Sequence, residues 1–324
     1  MGNAYLPHDR SVLGRLIANR YLVEGLCEST PAGVSYRAYH LKLDRSVLVR
    51  ILPECNAATQ EACRRALATA ERVSTLSNPH LGRTLDVGLV ESRYPFLVYE
   101  YSKGHSLAAL LAQSGPFPVE RLLPIARQLT GALETAHEAS VLHGRLQLEH
   151  CWLESLACRP EWLRLLGFGL ADLPEVEADA SSSGVFPSTA RTSEGDRQLS
   201  QLGLRADIYG LGACLYQLAS GTPLGWAALP RAGLDPQLGA LPWTGTRAVE
   251  RGLSLLIQRC LYLLPDRPYR SVGDIGRDLD RLEGSTAALA PDPPRLRPPV
   301  TAIHAPAPRA RVAMGQPKVI VKGG

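Results

Sequence analysis

The strongest constraint on the fold is a change of hydrophobic period partway along the chain. Between residues 21 and 52 apolar and polar positions alternate among turn-forming residues, and a period of two is the signature of strands. Three strands are predicted near 21–27, 34–40 and 46–52, and two more over Leu85–Val90 and Tyr94–Tyr101. From Gln60 to Leu76 the residues suit a helix instead. After Val119 the period turns helical, with Leu122, Leu123, Ile125, Ala126, Leu129, Ala132, Leu133 and Ala136 on one stripe, and long segments after Leu204 and Val249 behave alike. A chain that is strand-rich first and helical later builds two lobes, joined near Glu100–Gly104, with a cleft between them where ligands commonly bind.

With 324 residues and 45% hydrophobic content, the chain can bury a substantial core. Its net charge of +4 does not mark a nucleic-acid-binding domain, because residues 285–324 alone hold six Arg or Lys against the single acid Asp292. That same stretch carries eight prolines, in clusters such as PDPPRLRPP, and is read as a disordered basic tail that also suits docking to a partner. Seven dispersed cysteines, never closely paired, fit a reducing cytoplasm. The N-terminus lacks an apolar core of signal-peptide length, and no stretch approaches the roughly 18 apolar residues of a membrane span, so a soluble cytoplasmic protein is expected.

Eight segments, taken in order, resemble the bacterial eukaryotic-like (Hanks-type) serine/threonine protein kinases over roughly residues 14–283: NRYLVEGL, YRAYHLKLDRSVLVRILP, NPHLGRTLDVG, FLVYEYSKGHSL, VLHGRLQLEH, LRLLGFGLAD, RADIYGLGACLYQLASGTPL and PDRP. The resemblance implies an α+β, bilobal fold, with a small antiparallel sheet and one helix in the N-lobe and a larger, mainly helical C-lobe. The implied boundaries are an N-terminal extension at 1–13, N-lobe at 14–100, hinge at 101–104, C-lobe at 105–284 and tail at 285–324.

The same resemblance marks the positions where phosphoryl transfer is performed in the family, and this chain departs from most of them. The glycine-rich loop reads LCESTPAG, so Glu28 and Thr30 stand where the first two glycines allow backbone amides to approach phosphates, and only Gly33 survives. An irregular hairpin turn is the plain alternative reading of this segment. Arg50 replaces the phosphate-binding lysine, and its planar fork does not substitute freely for an ammonium; cleft lining, surface exposure and anion binding all stay open for it. The glutamate that should pair with that lysine aligns with Thr69, with Glu71 on a different helix face.

In the catalytic loop Arg145 takes the place of the aspartate base, and arginine, with a pKa above about 12, cannot accept a proton near neutrality. His150 replaces the magnesium-binding asparagine and Gly167 the magnesium-binding aspartate, leaving an imidazole and a hydrogen where oxygen ligands are needed. Asp172 and Glu149 are the nearby carboxylates to which metal binding could relocate. Ser35, Leu48, Tyr99 and Trp152 line the corresponding nucleotide cleft. Leu48 stands for a small alanine in its roof and Trp152 for a leucine in its floor, which suggests that the slot is filled, unless Trp152 turns into the C-lobe core. The resemblance also implies that framework positions persist: His143 and Phe168 match family positions that pack inside the domain, Asp207 one that holds the catalytic-loop backbone, and Arg267 a structural arginine whose acidic partner falls on Thr192 or Glu194 depending on alignment.

The function expected from this pattern is that of a pseudokinase, a catalytically inactive signalling scaffold or allosteric module for a protein partner, with active kinases among the candidates. Neither nucleic acid nor a metal is implied, and binding of ATP and magnesium is expected to be weak or absent. The glycine-poor loop, the activation segment from Leu170 to Ser193 with its serines and threonines, and the tail are the variable surfaces. The alternatives are an atypical active serine/threonine kinase and a nucleotide or anion sensor using Arg50 and Arg145.

Overall fold

The computed structural model describes residues 12–30, 33–55, 59–154, 161–173, 196–224, 248–262, 264 and 267–287. Pro31, the serines and threonines between 181 and 193, Glu194 and the tail beyond Ala287 lie outside the described residues. The fold is the expected one, a curled antiparallel sheet with one helix followed by a mainly helical lobe.

Six strands form the first sheet, in the order β1-β2-β3-β4-β6-β5: β1 (Leu16–Ile17), β2 (Tyr21–Thr30), β3 (Gly33–His40), β4 (Arg45–Ile51), β5 (Thr84–Val90) and β6 (Tyr94–Glu100). The hairpin of β2 and β3 is paired from Tyr21↔His40 out to Thr30↔Gly33, with irregular register only at Val23/Gly25 and Leu26/Glu28. The loop expected to be irregular is therefore mostly ladder. Gly33 survives for a reason within the sheet: its φ is +133°, and a Cβ there would lie 2.6 Å from the Ile51 carbonyl oxygen.

Alternation along β4 sorts its side chains between two faces. Val47, Val49 and Ile51 join Tyr21, Val34, Tyr36 and Phe96 on one side. Leu48 turns to the other side, where helix α1 (Gln60–Ser74) contributes Ala62, Cys63 and Ala66. Thr59 opens α1 as its N-cap, its hydroxyl accepting from the Ala62 amide at 3.1 Å.

The second lobe is centred on α3 (Val119–Glu138), whose apolar stripe packs with α4 (Asp196–Ser220), α5 (Ala248–Cys260) and α6 (Val272–Ala287). Helix α6 runs to Ala287, three residues into the segment expected to begin the tail. Against these helices sits a small sheet of β7 (Gly104–Ser106), β8 (Cys151–Glu154) and β9 (Trp162–Leu165), with α2 (Leu107–Ser114) between β7 and α3. The sequence pattern missed β1, β7, β8, β9 and α2, all too short to display a period. No helix among the described residues is long and apolar enough to cross a membrane. The six described cysteines are free thiols.

Asp207 in α4 ties the loop after α3 to this helical core. Fully buried, it accepts from the His143 amide at 2.9 Å and the Gly144 amide at 2.7 Å, and its Oδ2 meets His137 Nε2 at 2.8 Å. Replacing it leaves two buried amides and an imidazole without their acceptor, so Asp207→Ala is expected to cost about 3–5 kcal/mol of unfolding free energy in urea titration.

Candidate functional site

The cleft between the lobes is bordered by β2, β4 and α1 above and by β7, β8 and residues 143–150 and 166–173 below. Arg50 comes from β4, buried at 3% exposure, and so is no surface residue. Its Nη1 lies 3.4 Å from Ser35 Oγ and 3.5 Å from the Glu149 carbonyl. Glu28 turns inward from β2 and accepts from Ser106 Oγ at 2.6 Å, while Ser106 also caps α2 through the Ala109 amide. Burial pushes the Glu28 carboxyl above its ordinary value, opposed by the Ser106 bond and the field of Arg50. A carboxylate thus reaches across the entrance from the loop where the family carries glycine. Thr30 stays at the hairpin end, its hydroxyl donating to the Gly33 carbonyl at 3.1 Å.

Thr69 does not face Arg50. Its hydroxyl donates to Asp172 Oδ2 at 2.6 Å, linking α1 to the 3₁₀ turn at Leu170–Asp172. That turn is pressed against α1, since a Cβ on Gly169 (φ +93°) would stand 2.2 Å from the Ala66 carbonyl oxygen. Asp172, one of the two carboxylates considered for a relocated metal site, is committed to this contact.

Arg145 reaches in the same direction: its Nη2 donates to the Leu173 carbonyl at 2.8 Å. His150 is buried, its Nδ1 2.7 Å from the Arg145 carbonyl, which fixes that nitrogen as the donor. Burial, then the Arg50 and His143 charges, hold its pKa well below the ordinary histidine value, so the ring is neutral. His143 Nε2 donates to the Leu166 carbonyl at 2.8 Å and its ring meets Phe168 edge-on at 4.8 Å, the internal packing the sequence implied. Arg267, by contrast, is exposed, and residues 192 and 194 lie outside the described residues.

Gly167 adopts φ +93°, and a Cβ there would meet Leu170 Cδ1 at 2.9 Å and the His150 ring at 3.2 Å. A side chain at 167 would therefore press on Leu170 and the His150 ring. Among the described residues no group of three His, Cys, Asp or Glu side chains could hold a metal ion. These residues do not fit magnesium-ATP: an imidazole and a glycine replace the oxygen ligands, and Glu28 replaces an amide cradle.

Leu48, Tyr99 and Trp152 belong to one buried cluster with Ala62, Cys63, Ala66, Leu97, Leu166, Leu170 and Leu173. The neighbours of Trp152 on β8, Cys151 and Leu153, belong to the helical core instead, so strand alternation sends Trp152 to the cleft and not into the C-lobe. Trp152 Nε1 and Tyr99 Oη are buried without a hydrogen-bond partner among the described residues. Ser106 and the bond between Thr69 and Asp172 had no sequence signal; only the fold brings them together.

Comparisons with known proteins bear on this geometry. A family model described as protein tyrosine and serine/threonine kinase matches residues 29–232. The serine/threonine-protein kinase pkn3 of Myxococcus xanthus is 30% identical over 219 residues, 66% of this chain and 40% of that protein. Serine/threonine-protein kinase A of Synechocystis sp. is 28% identical over 294 residues, 85% of this chain and 55% of that protein. The chain thus spans about half or less of the length of these relatives. In structure it is similar to the kinase domain of Mycobacterium tuberculosis PknI, with a TM-score of 0.58 at 21% identity, covering 83% of this chain and 98% of that domain.

Because Gly167 is left-handed and crowded, Gly167→Ala is expected to cost about 1–2 kcal/mol, and Gly167→Asp more, measured by denaturant titration. His143 and His150 are held below the ordinary value of 6.5, so the unfolded chain binds protons that the folded one refuses. Stability is therefore expected to fall as pH drops below about 6.5, by about 1.4 kcal/mol per pH unit for each net proton. Glu28, raised from 4.5, works in the opposite sense because its folded form holds a proton longer. Glu28→Gln should steepen the acid loss in pH-dependent melts.

Proposed function

The chain belongs to the protein tyrosine and serine/threonine kinase family, and from that premise we propose that it is a catalytically inactive member, a pseudokinase acting as a signalling scaffold or allosteric binding partner of another protein. The observation that carries this reading is the joint state of Arg145, His150 and Gly167. The guanidinium at the base position is directed to the Leu173 carbonyl, the imidazole at one metal position is buried and neutral, and the glycine at the other offers no ligand atom and sits left-handed against Leu170 and the His150 ring. A general base is typically worth about 10²–10⁴-fold in rate and one preorganised electrostatic contact about 10²–10³-fold. Losing these together leaves transfer near background, although such losses do not simply multiply.

In this reading Leu48 and Trp152 fill the adenine slot, supported by their membership of one buried cluster spanning both lobes. With no chemistry to perform, the domain acts through its surface, and a protein partner, an active kinase among the candidates, is the class of ligand such a scaffold serves. An atypical active kinase is the alternative against which the proposal is tested.

Purified protein is expected to transfer no radiolabelled phosphate above background and to show no rise in melting temperature with magnesium-ATP. A ligand at 100 times its dissociation constant would add about 2.7 kcal/mol of stability, so binding of useful strength would be visible. Trimming both wall residues, Leu48→Ala with Trp152→Leu, should open the slot and produce an adenosine-dependent shift while transfer stays absent. Phosphate transfer by the unaltered chain overturns the proposal.

A further inference from the structure

The β2–β3 hairpin is fastened to the second lobe by two side chains 78 positions apart. Ser106, fully buried, uses one hydroxyl twice: it accepts from the Ala109 amide at 3.0 Å, capping α2, and donates to Glu28 Oε1 at 2.6 Å. Strand pairing is irregular between Leu26 and Glu28, just before the acid, and irregularities of this kind re-aim a side chain. Glu28 is turned inward there and is only 9% exposed.

Only half of this carboxyl is served. Its Oε2 is buried and has no hydrogen-bond partner among the described residues. A buried carboxyl stays ionised where hydrogen bonds and opposite charge replace the water it has lost, and otherwise takes up a proton. Around Glu28 burial acts first and disfavours the charge. The Ser106 bond, Arg50 on β4 and His105 on β7 oppose burial, while Glu149, just before β8, acts with it. Burial prevails, and the carboxyl is held above its ordinary value. An ionised Glu28 regains its water when the hairpin swings away from Ser106.

We propose that Glu28 and Ser106 form a proton-controlled latch between the lobes, closed when the carboxyl is neutral and released when it ionises. A group that holds its proton more tightly in the closed form stabilises that form fully below its ordinary pKa of 4.5, and the contribution is lost as pH rises through the raised value. The latch does not rest on the inactive-kinase reading, because neither residue needs to touch a nucleotide for it to work.

Cys27 reports the position of the hairpin. It precedes Glu28, is half-buried, and packs against the buried cluster that holds Leu48 and Trp152. Its rate of exchange with dithiodipyridine, read by peptide mass spectrometry, is divided by the rate in the Glu28→Gln chain at the same pH, so that thiol ionisation largely cancels. What remains works against the expected result, since an ionised Glu28 raises the Cys27 thiol further. Between about pH 4.5 and pH 8 this ratio is expected to rise at least about twofold, while the buried Cys151 and Cys260 in the same digest stay unreactive. Glu28→Ala, with no carboxyl to hold, should react faster than the native chain at the acid end of that range. A ratio that stays level or falls, a Cys27 rate that rises only together with those of Cys151 and Cys260, or a Glu28→Ala chain no faster than the native one in acid overturns the proposal.

Discussion

The lobes of this protein are joined by one buried apolar cluster. Leu48 and Leu97 enter it from the sheet, Ala62, Cys63 and Ala66 from α1, and Trp152, Leu166, Leu170 and Leu173 from below. Each of the larger side chains contributes about 1.5–3 kcal/mol when fully buried, so opening the lobes would expose a contact comparable with a domain's whole stability margin. The closure has a cost, because the Trp152 indole N–H and the Tyr99 hydroxyl are buried without partners among the described residues. An unsatisfied buried group costs about 1–3 kcal/mol, which the apolar contact must exceed.

The substitutions around this contact fit one another as a set. Glycine at 167 and 169 leaves room for the His150 ring and for the Ala66 carbonyl, while Gly144 lets the Ala171 side chain approach. Thr69 and Arg145, at positions where the family carries carboxylates, bind Asp172 and the Leu173 carbonyl and hold the following turn beneath α1. A side chain at position 167 alone would meet Leu170 and the His150 ring.

The order of the long elements was legible because their apolar periods are sustained, as in α3, whose buried stripe runs from Val119 to Ala136. The short strands β7 to β9 were not, since three or four residues show no period, and their pairing is decided by partners far along the chain. At the site, the identities of Arg50, Thr69, Arg145, His150 and Gly167 could be read by spacing, but not where they point. That Thr69 binds Asp172, that Glu28 binds Ser106 across 78 positions, and that Trp152 leaves the C-lobe core are consequences of tertiary contact.

Quenching of a chain that keeps Trp152 as its sole tryptophan, with Trp162, Trp226 and Trp243 changed to phenylalanine, addresses the closed cleft most directly. An indole buried in one cluster with Leu48 and Tyr99 should be shielded from acrylamide, and millimolar magnesium-ATP should leave that shielding unaltered. An indole quenched as freely as in an unfolded chain, or one whose emission shifts when nucleotide is added, would contradict a cleft closed by the protein's own side chains.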